Sequence, residues 1–265
     1  MSTPALFTVI VATHNRPLLL QRCLRSLIAQ TFANFQVIVV DDSAAYIPPF
    51  HELALLQGRY THLIRSGGPS GPAHSRNMAL ALANSDYILF LDDDDTFESG
   101  HLHSLADHMG GASPPLLFCS FTVVNEDRAT NPPQFLSSEI ITLTDVTQDS
   151  VYVRNRIPNS CLIYRHDVLA DVRHDTELEI YEDWDFALHC LNKHKLQFVP
   201  IASVVIHKSR ATAPENMRRG NTRDDLIGKV MLELYKRHPA PNESTRLARQ
   251  SLMASAGITL APGDC

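Results

Sequence analysis

The sequence is poor in cysteine and has none of the cysteine spacings that bind zinc. Its 265 residues include five cysteines, an odd number, and no two of them form a CxxC pair. They stand far apart, at Cys23, Cys119, Cys161, Cys190 and Cys265. Scattered thiols are typical of a reduced intracellular protein rather than of a secreted, disulfide-bonded scaffold. We therefore expect free thiols and a cytoplasmic location.

Long apolar runs are also missing. The first one, residues 6–12, has no basic residues before it and is too short for a signal peptide or a spanning helix. No other window approaches the length that a bilayer requires. The sequence thus predicts a soluble protein, and it leaves peripheral contact with the inner face of a membrane open.

A basic stripe of the kind that binds nucleic acid is absent as well. Acidic residues outnumber basic ones by 29 to 23, which gives a formal net charge of -6. We therefore expect no nucleic-acid partner. An acidic protein that binds an anionic ligand needs a cation between the two.

The most informative stretch is an apolar strand that runs directly into four consecutive aspartates. Residues 87–91 have the length and composition of a buried strand. The aspartates then fall at its carboxyl end, where open α/β sheets bind ligands. Alternation along a strand would place Asp92 and Asp94 on one side and Asp93 and Asp95 on the other. Two carboxylates on one side suit Mg²⁺ or Mn²⁺, whereas a solvated acidic loop is the alternative.

The first ~95 residues have the pattern of a parallel α/β unit. Residues 6–12 and 35–40 are apolar runs of strand length, and Pro17 opens a stretch between them with apolar residues at helical spacing. This order indicates a βαβ unit with a right-handed crossover. A weaker strand at 62–65, a helix at 73–83 and the strand at 87–91 complete a Rossmann-type half.

The remaining chain alternates between helical and strand patterns. Residues 125–149 are polar and contain proline, so we expect an irregular loop there. Pro200 interrupts the last strand, which indicates an edge strand. The predicted elements are a helix around 102–109 closed by Gly110 and Gly111, strands at 116–124, 161–164 and 199–206, and helices at 182–194, 224–237 and 244–254.

Five short motifs, in this order, resemble those of the family 2 glycosyltransferases. They are VATHNRP at 11–17, VVDDS at 39–43, Arg76-Asn77, LDDDD at 91–95 and EDWD at 182–185. Each motif is weak alone, but their order and spacing together are specific. The resemblance covers residues 7–207. It implies an inverting enzyme that uses a nucleoside diphosphate sugar.

The resemblance also implies an α/β protein with the GT-A fold. In that fold a Rossmann-like, mostly parallel central sheet is flanked by helices. We expect this domain over residues 1–210, with a nucleotide-binding half at 1–95 and an acceptor half at 96–210. A C-terminal helical extension would occupy residues 211–265.

The donor nucleotide is implied to lie at the carboxyl ends of the first strands. A carboxylate such as Asp42 pairs well with the imide N–H of uracil or thymine, and Arg76 would reach the base or the diphosphate. A solvated helix arginine is the alternative for Arg76, and helix capping is the alternative for the turn after the first strand. The residues implied to bind the nucleotide sugar are Thr13, Asn15, Arg16, Asp42, Arg76, Asp92 and Asp93.

The family's metal is implied to be Mn²⁺ or Mg²⁺, bound by Asp92 and Asp94. A divalent cation stabilises the negative charge that develops on the leaving nucleoside diphosphate. His207 is implied to complete the metal shell in some relatives, since imidazole is an acceptable Mn²⁺ ligand. A structural or solvated histidine is the alternative.

The acceptor side is implied to contain Asp183 as the general base of an inverting displacement. Because a helix N-terminus favours negative charge, we expect Asp183 to be ionised. A pair of acids that only complements the helix dipole is the alternative. Asp95, Glu182 and Trp184 are placed beside the acceptor, and Trp184 either stacks on a sugar or anchors its helix in the core.

The sequence therefore predicts a metal-dependent inverting glycosyltransferase, with a UDP-sugar donor and a saccharide or lipid-linked acceptor. The family implies surface polysaccharide or glycolipid synthesis. One alternative is a sugar-phosphate nucleotidyltransferase, which needs a basic, glycine-rich loop where residues 13–17 stand. Another is a non-catalytic nucleotide-sugar-binding module, which predicts a broken base or metal motif. The basic segment 208–223 would close on the diphosphate, contact a lipid phosphate or be a solvated surface.

Overall fold

The computed structural model describes residues 4–43, 48–69, 71–209 and 224–260. These residues form nine strands and eight α-helices around one mixed sheet. In chain order they are β1 (Phe7–Thr13), α1 (Pro17–Ile28), β2 (Phe35–Asp41), α2 (Phe50–Leu55), β3 (Tyr60–Ile64), α3 (Pro72–Leu80), β4 (Tyr87–Phe90), β5 (Thr96–Phe97), α4 (His101–Met109), β6 (Leu116–Asp127), β7 (Gln134–Ile141), α5 (Gln148–Val153), β8 (Leu162–Arg165), α6 (Glu182–Leu191), β9 (Leu196–Ser209), α7 (Asp224–Arg237) and α8 (Glu243–Ser255).

The first four long strands form the parallel part of the sheet, in the order β3-β2-β1-β4. Strands β1, β2 and β4 are buried almost throughout, which explains their continuous apolar runs. Strand order reverses between β1 and β4, and such a switch point opens a crevice at the carboxyl ends of the strands. The predicted Rossmann-type half is confirmed, and it places the aspartates beside the turns after β1 and β2.

The second part of the sheet is mixed rather than parallel. Strand β8 runs antiparallel to both β4 and β6, while β6 and β9 are parallel. Strands β5 and β7 add antiparallel pairs at the periphery. The expectation of a mostly parallel sheet therefore holds for strands β1–β4 only, because half of the eight pairings between described strands are antiparallel.

The prediction of an irregular loop over residues 125–149 is wrong. Strand β6 continues to Asp127, and β7 pairs with it as an antiparallel hairpin. Strand β7 is exposed along nearly its whole length, so its sequence has none of the alternation that marks a half-buried strand. Helix α5 then begins with a reciprocal capping pair between Thr147 and Ser150.

The prediction that the last strand lies at the edge of the sheet is also wrong. Strand β9 lies between β6 and β5 and pairs with both. Its register against β6 shifts between Val199 and Val204, so Pro200 stands in a bulge where it breaks no ladder hydrogen bond.

The helices confirm the periodicities in the sequence. Helix α1 buries Leu20, Leu24 and Leu27 against the sheet, and α4 ends at Gly110 in the left-handed conformation. The two C-terminal helices pack against α5. There the buried Arg249 donates to the carbonyl of Tyr152, and its guanidinium lies 4.2 Å from the centre of the Tyr235 ring.

Two further expectations concern thiols and membranes. The four cysteines within the described residues are buried free thiols, as predicted. None of the helices in the described ranges is both long and apolar enough to span a bilayer. Cys265 and most of the basic segment, from Arg210 to Arg223, lie outside the described residues.

Candidate active site

The four aspartates form a turn rather than continuing the strand. Strand β4 ends at Phe90, and the backbone N–H of Asp95 donates to the carbonyl of Asp92 at 2.9 Å. Oxygens of Asp92, Asp94 and Asp95 come within 4.8 Å of one another. The predicted alternation is therefore wrong, because the turn brings Asp95 to the same side as Asp92 and Asp94.

Asp93 points away from that group and is completely buried. It accepts a hydrogen bond of 2.7 Å from the Thr13 hydroxyl, and one of its oxygens lies 2.5 Å from a terminal nitrogen of Arg16. Burial raises the pKa of Asp93 to about 7, although the Arg16 charge opposes the change. This side chain connects the turn after β1 to the turn after β4, and the nucleotide contact predicted for Asp93 stays a prediction.

Asp94 faces a buried ionic cluster that sequence reasoning missed. Its Oδ2 atom lies 3.3 and 3.4 Å from the two terminal nitrogens of Arg128 and 3.7 Å from Arg16. Its backbone carbonyl accepts from Arg22 at 2.8 Å. Arg22 and Arg128 both donate to Glu126, each at 2.7 Å. Residues so distant in sequence carry no local signal of this contact.

Glu126 stays ionised in this buried cluster. Burial alone would raise its pKa, but hydrogen bonds from His207, Arg22 and Arg128 outweigh burial and hold the pKa well below its usual range. The site therefore contains a fixed negative charge that neutralises part of the arginine charge around Asp94.

His207 lies next to the acidic group, with both ring nitrogens near other side chains. Its backbone N–H donates to Asp95 at 3.1 Å. Its Nε2 atom lies 3.0 Å from the Thr96 hydroxyl, and its Nδ1 atom lies 3.2 Å from Glu126. The three-aspartate group does not include this imidazole. Its role as a metal ligand stays a prediction that requires the ring to change partners.

The residues at this site fit a divalent cation. Carboxylate oxygens are the ligands that Mg²⁺ and Mn²⁺ prefer, and three aspartates supply them at close range. Among the residues that the structure describes, seven carboxylates stand against four guanidinium groups, an excess of three negative charges if every carboxyl group is ionised. The acids are Asp92, Asp93, Asp94, Asp95, Glu126, Glu182 and Asp183, and the bases are Arg16, Arg22, Arg76 and Arg128.

Arg76 is buried and connects the acidic group to helix α6. One terminal nitrogen donates to Asp92 and the other to Glu182, both at 2.8 Å. Only 7% of its surface is exposed, so the solvated-arginine alternative is excluded. Arg76 therefore joins the aspartate group to the start of α6, and its contact with a nucleotide stays a prediction.

Asp183 occupies the first turn of α6, directly after Tyr181 and Glu182. Tyr181 has a left-handed backbone with φ 64°, a conformation that costs energy for a non-glycine residue. The Asp183 carboxylate accepts from the backbone N–H of Trp184 at 2.8 Å and lies 3.5 Å from the Asn155 amide.

The pKa of Asp183 is raised from its ordinary value of 3.8 to about 7. Burial is the main cause, the neighbouring Glu182 charge adds to it, and Arg76 partly opposes it. The expectation that the helix N-terminus would keep this carboxyl group fully ionised is therefore corrected. A group that titrates near neutral pH is well matched to a general base.

Trp184 anchors α6 in the core. Its side chain is 1% exposed, and its indole N–H donates to the carbonyl of Val151 at 2.8 Å. The rings of Tyr181 and Tyr235 contact it edge-on. Of the two alternatives, the structure supports the anchor, and the acceptor contact predicted for Trp184 is corrected.

Asp42 ties the glycine-rich loop to the turn after β2. One oxygen lies 2.6 Å from Nδ1 of His14, and the other accepts from the backbone N–H of Gly71 at 2.9 Å. Gly71 has φ 145°, which only glycine adopts readily. Asn15 donates its backbone N–H to Ser43 at 2.6 Å. Helix α1 has no side-chain cap, so capping does not explain Thr13 or Asn15.

A protein-family model matches more than half of the chain and decides its classification. Residues 8–172 match the model described as glycosyl transferase family 2. The chain belongs to this family. The matched range contains four of the five motifs and ends just before α6, which carries the fifth.

Curated proteins related to this glycosyltransferase come from several bacteria. A Bacillus subtilis protein named uncharacterized glycosyltransferase YwdF is 25% identical over 84% of this chain and 82% of its own length. The succinoglycan biosynthesis protein ExoW of Rhizobium meliloti is 27% identical over 71% of this chain and 64% of its own. A Campylobacter jejuni GalNAc(5)-diNAcBac-PP-undecaprenol beta-1,3-glucosyltransferase is 32% identical over 37% of this chain and 32% of its own.

Solved structures establish that the glycosyltransferase has the GT-A fold. S. aureus TarS 1-349 in complex with UDP-GlcNAc superposes with a TM-score of 0.70 at 19% identity, covering 96% of this chain and 73% of that one. A mannosyltransferase from Pyrobaculum calidifontis in complex with GDP-Man and Mn²⁺ gives a TM-score of 0.57 at 16% identity, covering 99% and 78%.

Proposed function

We propose that this glycosyltransferase moves a sugar from a nucleoside diphosphate donor to an acceptor hydroxyl with inversion, and that it uses Mn²⁺ or Mg²⁺. UDP is the nucleotide we expect, because Asp42 in the VVDDS motif resembles the family carboxylate that accepts the uracil imide N–H. The family implies a saccharide or a lipid-linked acceptor. The division into a domain at 1–210 and an extension at 211–265 belongs to the same proposal.

One observation carries the proposal. Through the two ion pairs of Arg76, the aspartate group at the end of β4 is joined to the start of α6, where Asp183 follows Glu182. The site thus has an acidic group suited to a cation on one side and a carboxyl group that titrates near neutral pH on the other. An inverting displacement needs a base on the face opposite the leaving group, and a cation stabilises the leaving diphosphate.

On the donor side, the chain's own residues bind and orient the nucleotide. Asp42 is held by Gly71 and His14, and its oxygens have lone pairs left for the base. Arg16 is partly exposed, so it can reach a phosphate while its Nε atom and one terminal nitrogen hold Asp93. Asp92, Asp94 and Asp95 are the residues that would hold the cation. When bound, this cation supplies Lewis-acid stabilisation of the leaving diphosphate.

On the acceptor side, Asp183 takes the proton of the acceptor hydroxyl. The acceptor oxygen forms its bond to the anomeric carbon as the bond to the nucleoside diphosphate breaks on the opposite face. The proton ends on Asp183 and the electron pair of the broken bond ends on the diphosphate. The configuration at the anomeric carbon inverts because attack and departure occur on opposite faces.

The names of two relatives indicate the kind of biosynthesis in which those proteins take part. ExoW is a succinoglycan biosynthesis protein, and the Campylobacter jejuni relative acts on an undecaprenol-linked saccharide. We therefore propose a role in polysaccharide or glycolipid synthesis, in the cytoplasm or at the inner face of the membrane. Membership of family 2 favours sugar transfer over the nucleotidyltransferase and binding-module alternatives.

The proposal is tested by calorimetric titration of the purified protein with UDP, GDP, dTDP and ADP, each with and without Mn²⁺. We expect UDP to bind, and its binding to depend on the metal. Binding of another nucleotide alone would overturn the UDP assignment. Absence of binding by all four with Mn²⁺ present would overturn the nucleotide-sugar proposal.

A further inference from the structure

A second group of metal-binding side chains lies outside the active site, between α6 and the end of α7. Asp185 and His189 stand one helical turn apart on α6, and His238 directly follows α7. Ligand atoms of the three residues lie within 4.8 Å of one another. One Asp185 oxygen is 2.8 Å from Nε2 of His238, and the other is 3.6 Å from Nδ1 of His189.

The group is buried on one side and open on the other. Asp185 and His238 are each 1% exposed, whereas 47% of the His189 side chain is accessible. Of the three residues, His189 is thus the one in contact with solvent. Asn192 contacts the inner histidine, since its amide nitrogen lies 3.4 Å from Nδ1 of His238 while its amide oxygen accepts from the Tyr152 hydroxyl at 2.8 Å.

The local charge balance favours a cation at this place. Among the described residues, Arg237 brings the nearest guanidinium group to Asp185, at 3.8 Å. The same side chain also pairs with Asp175 at 2.5 Å and with Glu233. Three carboxylates thus share one guanidinium group, and the closest partner of the buried Asp185 is His238 at 2.8 Å. A divalent ion would reduce this excess of negative charge.

We propose that Asp185, His189 and His238 bind a divalent transition-metal ion, and that Zn²⁺ fits best. Two imidazoles and one carboxylate are a common donor set for zinc, which keeps a fourth position for water. Tetrahedral zinc with bonds of about 2.0–2.1 Å places neighbouring ligand atoms roughly 3.3 Å apart. The observed separations of 2.8 and 3.6 Å involve different oxygens of Asp185, and Nδ1 of His189 also lies 3.0 Å from the Asp185 backbone carbonyl, so zinc binding requires the exposed His189 ring to turn. The oxygen-only aspartate group, in contrast, suits Mg²⁺ or Mn²⁺.

Such an ion would cross-link helix α6, which carries Asp183, to the C-terminal helices. Asp185 is two residues after Asp183 on α6, while His238 belongs to the α7 end of the chain. Binding to the native state alone stabilises it by mass action. The ion would thereby stabilise the fold without taking part in sugar transfer.

The test measures zinc bound to the full chain by equilibrium dialysis in excess Mg²⁺, which occupies the aspartate group. We expect one Zn²⁺ per wild-type chain. Because His189 is exposed, His189→Ala should fold normally and bind zinc at least ~10-fold more weakly. His108→Ala, which removes an exposed histidine of α4, is the matched control and should bind zinc as the wild type does.

A second readout identifies the coordination. Co²⁺ absorbs visible light far more strongly in tetrahedral sites than in octahedral ones, so wild type and His108→Ala should give an intense spectrum that His189→Ala lacks. Circular dichroism checks that all three chains are folded. Zinc binding by His189→Ala equal to that of the wild type, or no zinc bound by the wild type in Mg²⁺, would overturn the proposal.

Discussion

Arg76 and Glu182 form a buried ion pair of 2.8 Å that joins helix α3 to helix α6. The other terminal nitrogen of Arg76 lies 2.8 Å from Asp92. A planar guanidinium group can hold two carboxylates at once, which an ammonium group does less well. Arg76 thus sets the position of the start of α6, where Asp183 lies, relative to the aspartates after β4.

Substitution of Arg76 should damage both stability and catalysis. Arg76→Ala leaves two partly buried carboxylates without their partner, and we expect a loss of about 3–5 kcal/mol in the free energy of unfolding. Arg76→Lys keeps the charge but not the fork, so it should lower kcat more than it lowers stability. Urea denaturation and steady-state kinetics measure the two effects. Arg246→Ala, which breaks an exposed pair with Glu243, is the control and should change stability far less than Arg76→Ala does.

The activity should rise with pH through about 7. Asp183 must be ionised to accept a proton, and burial raises its pKa to about 7. The value of kcat/KM should therefore fall about tenfold for each pH unit below that point and level off above it. A pH profile at fixed Mn²⁺ concentration measures this. A profile that is flat from pH 5 to 8 would contradict the base assignment.

The same raised pKa has the opposite effect on stability. Ionisation of Asp183 is harder in the folded chain than in the unfolded one, so its contribution to stability is greatest below pH 3.8 and is lost as pH rises to about 7. The wild type should therefore lose stability relative to Asp183→Asn between about pH 4 and 7. Denaturant titrations of the two proteins at several pH values measure the difference, and a difference independent of pH would refute the account.

Asp94→Ala should weaken UDP binding only where that binding depends on metal. The variant removes one ligand of the aspartate group, and Arg128 keeps its bond to Glu126, so the fold should survive. We expect the affinity for UDP in Mn²⁺ to fall by roughly tenfold or more, with little change in the absence of metal. Calorimetry measures both. Asp107→Ala, on the exposed side of α4, is the control and should bind as the wild type does.

Trp184→Phe should reduce stability without affecting binding of the sugar acceptor. It removes the hydrogen bond to the carbonyl of Val151 and leaves that buried carbonyl oxygen unpaired, at a cost of about 1–3 kcal/mol. The KM for the acceptor should stay within about twofold of the wild-type value, since the ring does not reach the site. A large increase in this KM at unchanged stability would restore the sugar-stacking alternative.

Much of the fold could be predicted because the buried parallel strands carry strong local patterns. Strands β1, β2 and β4 are apolar on both faces, and each leads into polar residues at the site. Strand β7 has no such pattern, because it is exposed and held by its ladder to β6. Pairing between strands depends on residues that are distant in sequence, and β7 has no hydrophobic periodicity from which its pairing could be predicted.

The candidate site was predictable in its residues but less so in its geometry. The motifs located Asp92, Asp94 and Asp183, yet only the turn after β4 brings Asp95 to the same side. Arg22 and Glu126 lie 104 residues apart, so their ion pair could not be read from spacing. The pKa of Asp183 depends on burial and on Glu182 together, which a dipole argument from the helix terminus does not include.

The central claim is that Asp183 acts in the chemical step and not in binding the donor. The most direct measurement compares wild type with Asp183→Asn for two quantities: UDP affinity in Mn²⁺ and release of UDP from a UDP-sugar in the presence of acceptor. We predict equal affinity within about twofold, and a rate that is lower by roughly 10²-fold to 10⁴-fold. Asp171→Asn, an exposed carboxylate outside the site, should change neither quantity. Near-normal UDP release by Asp183→Asn would contradict the account.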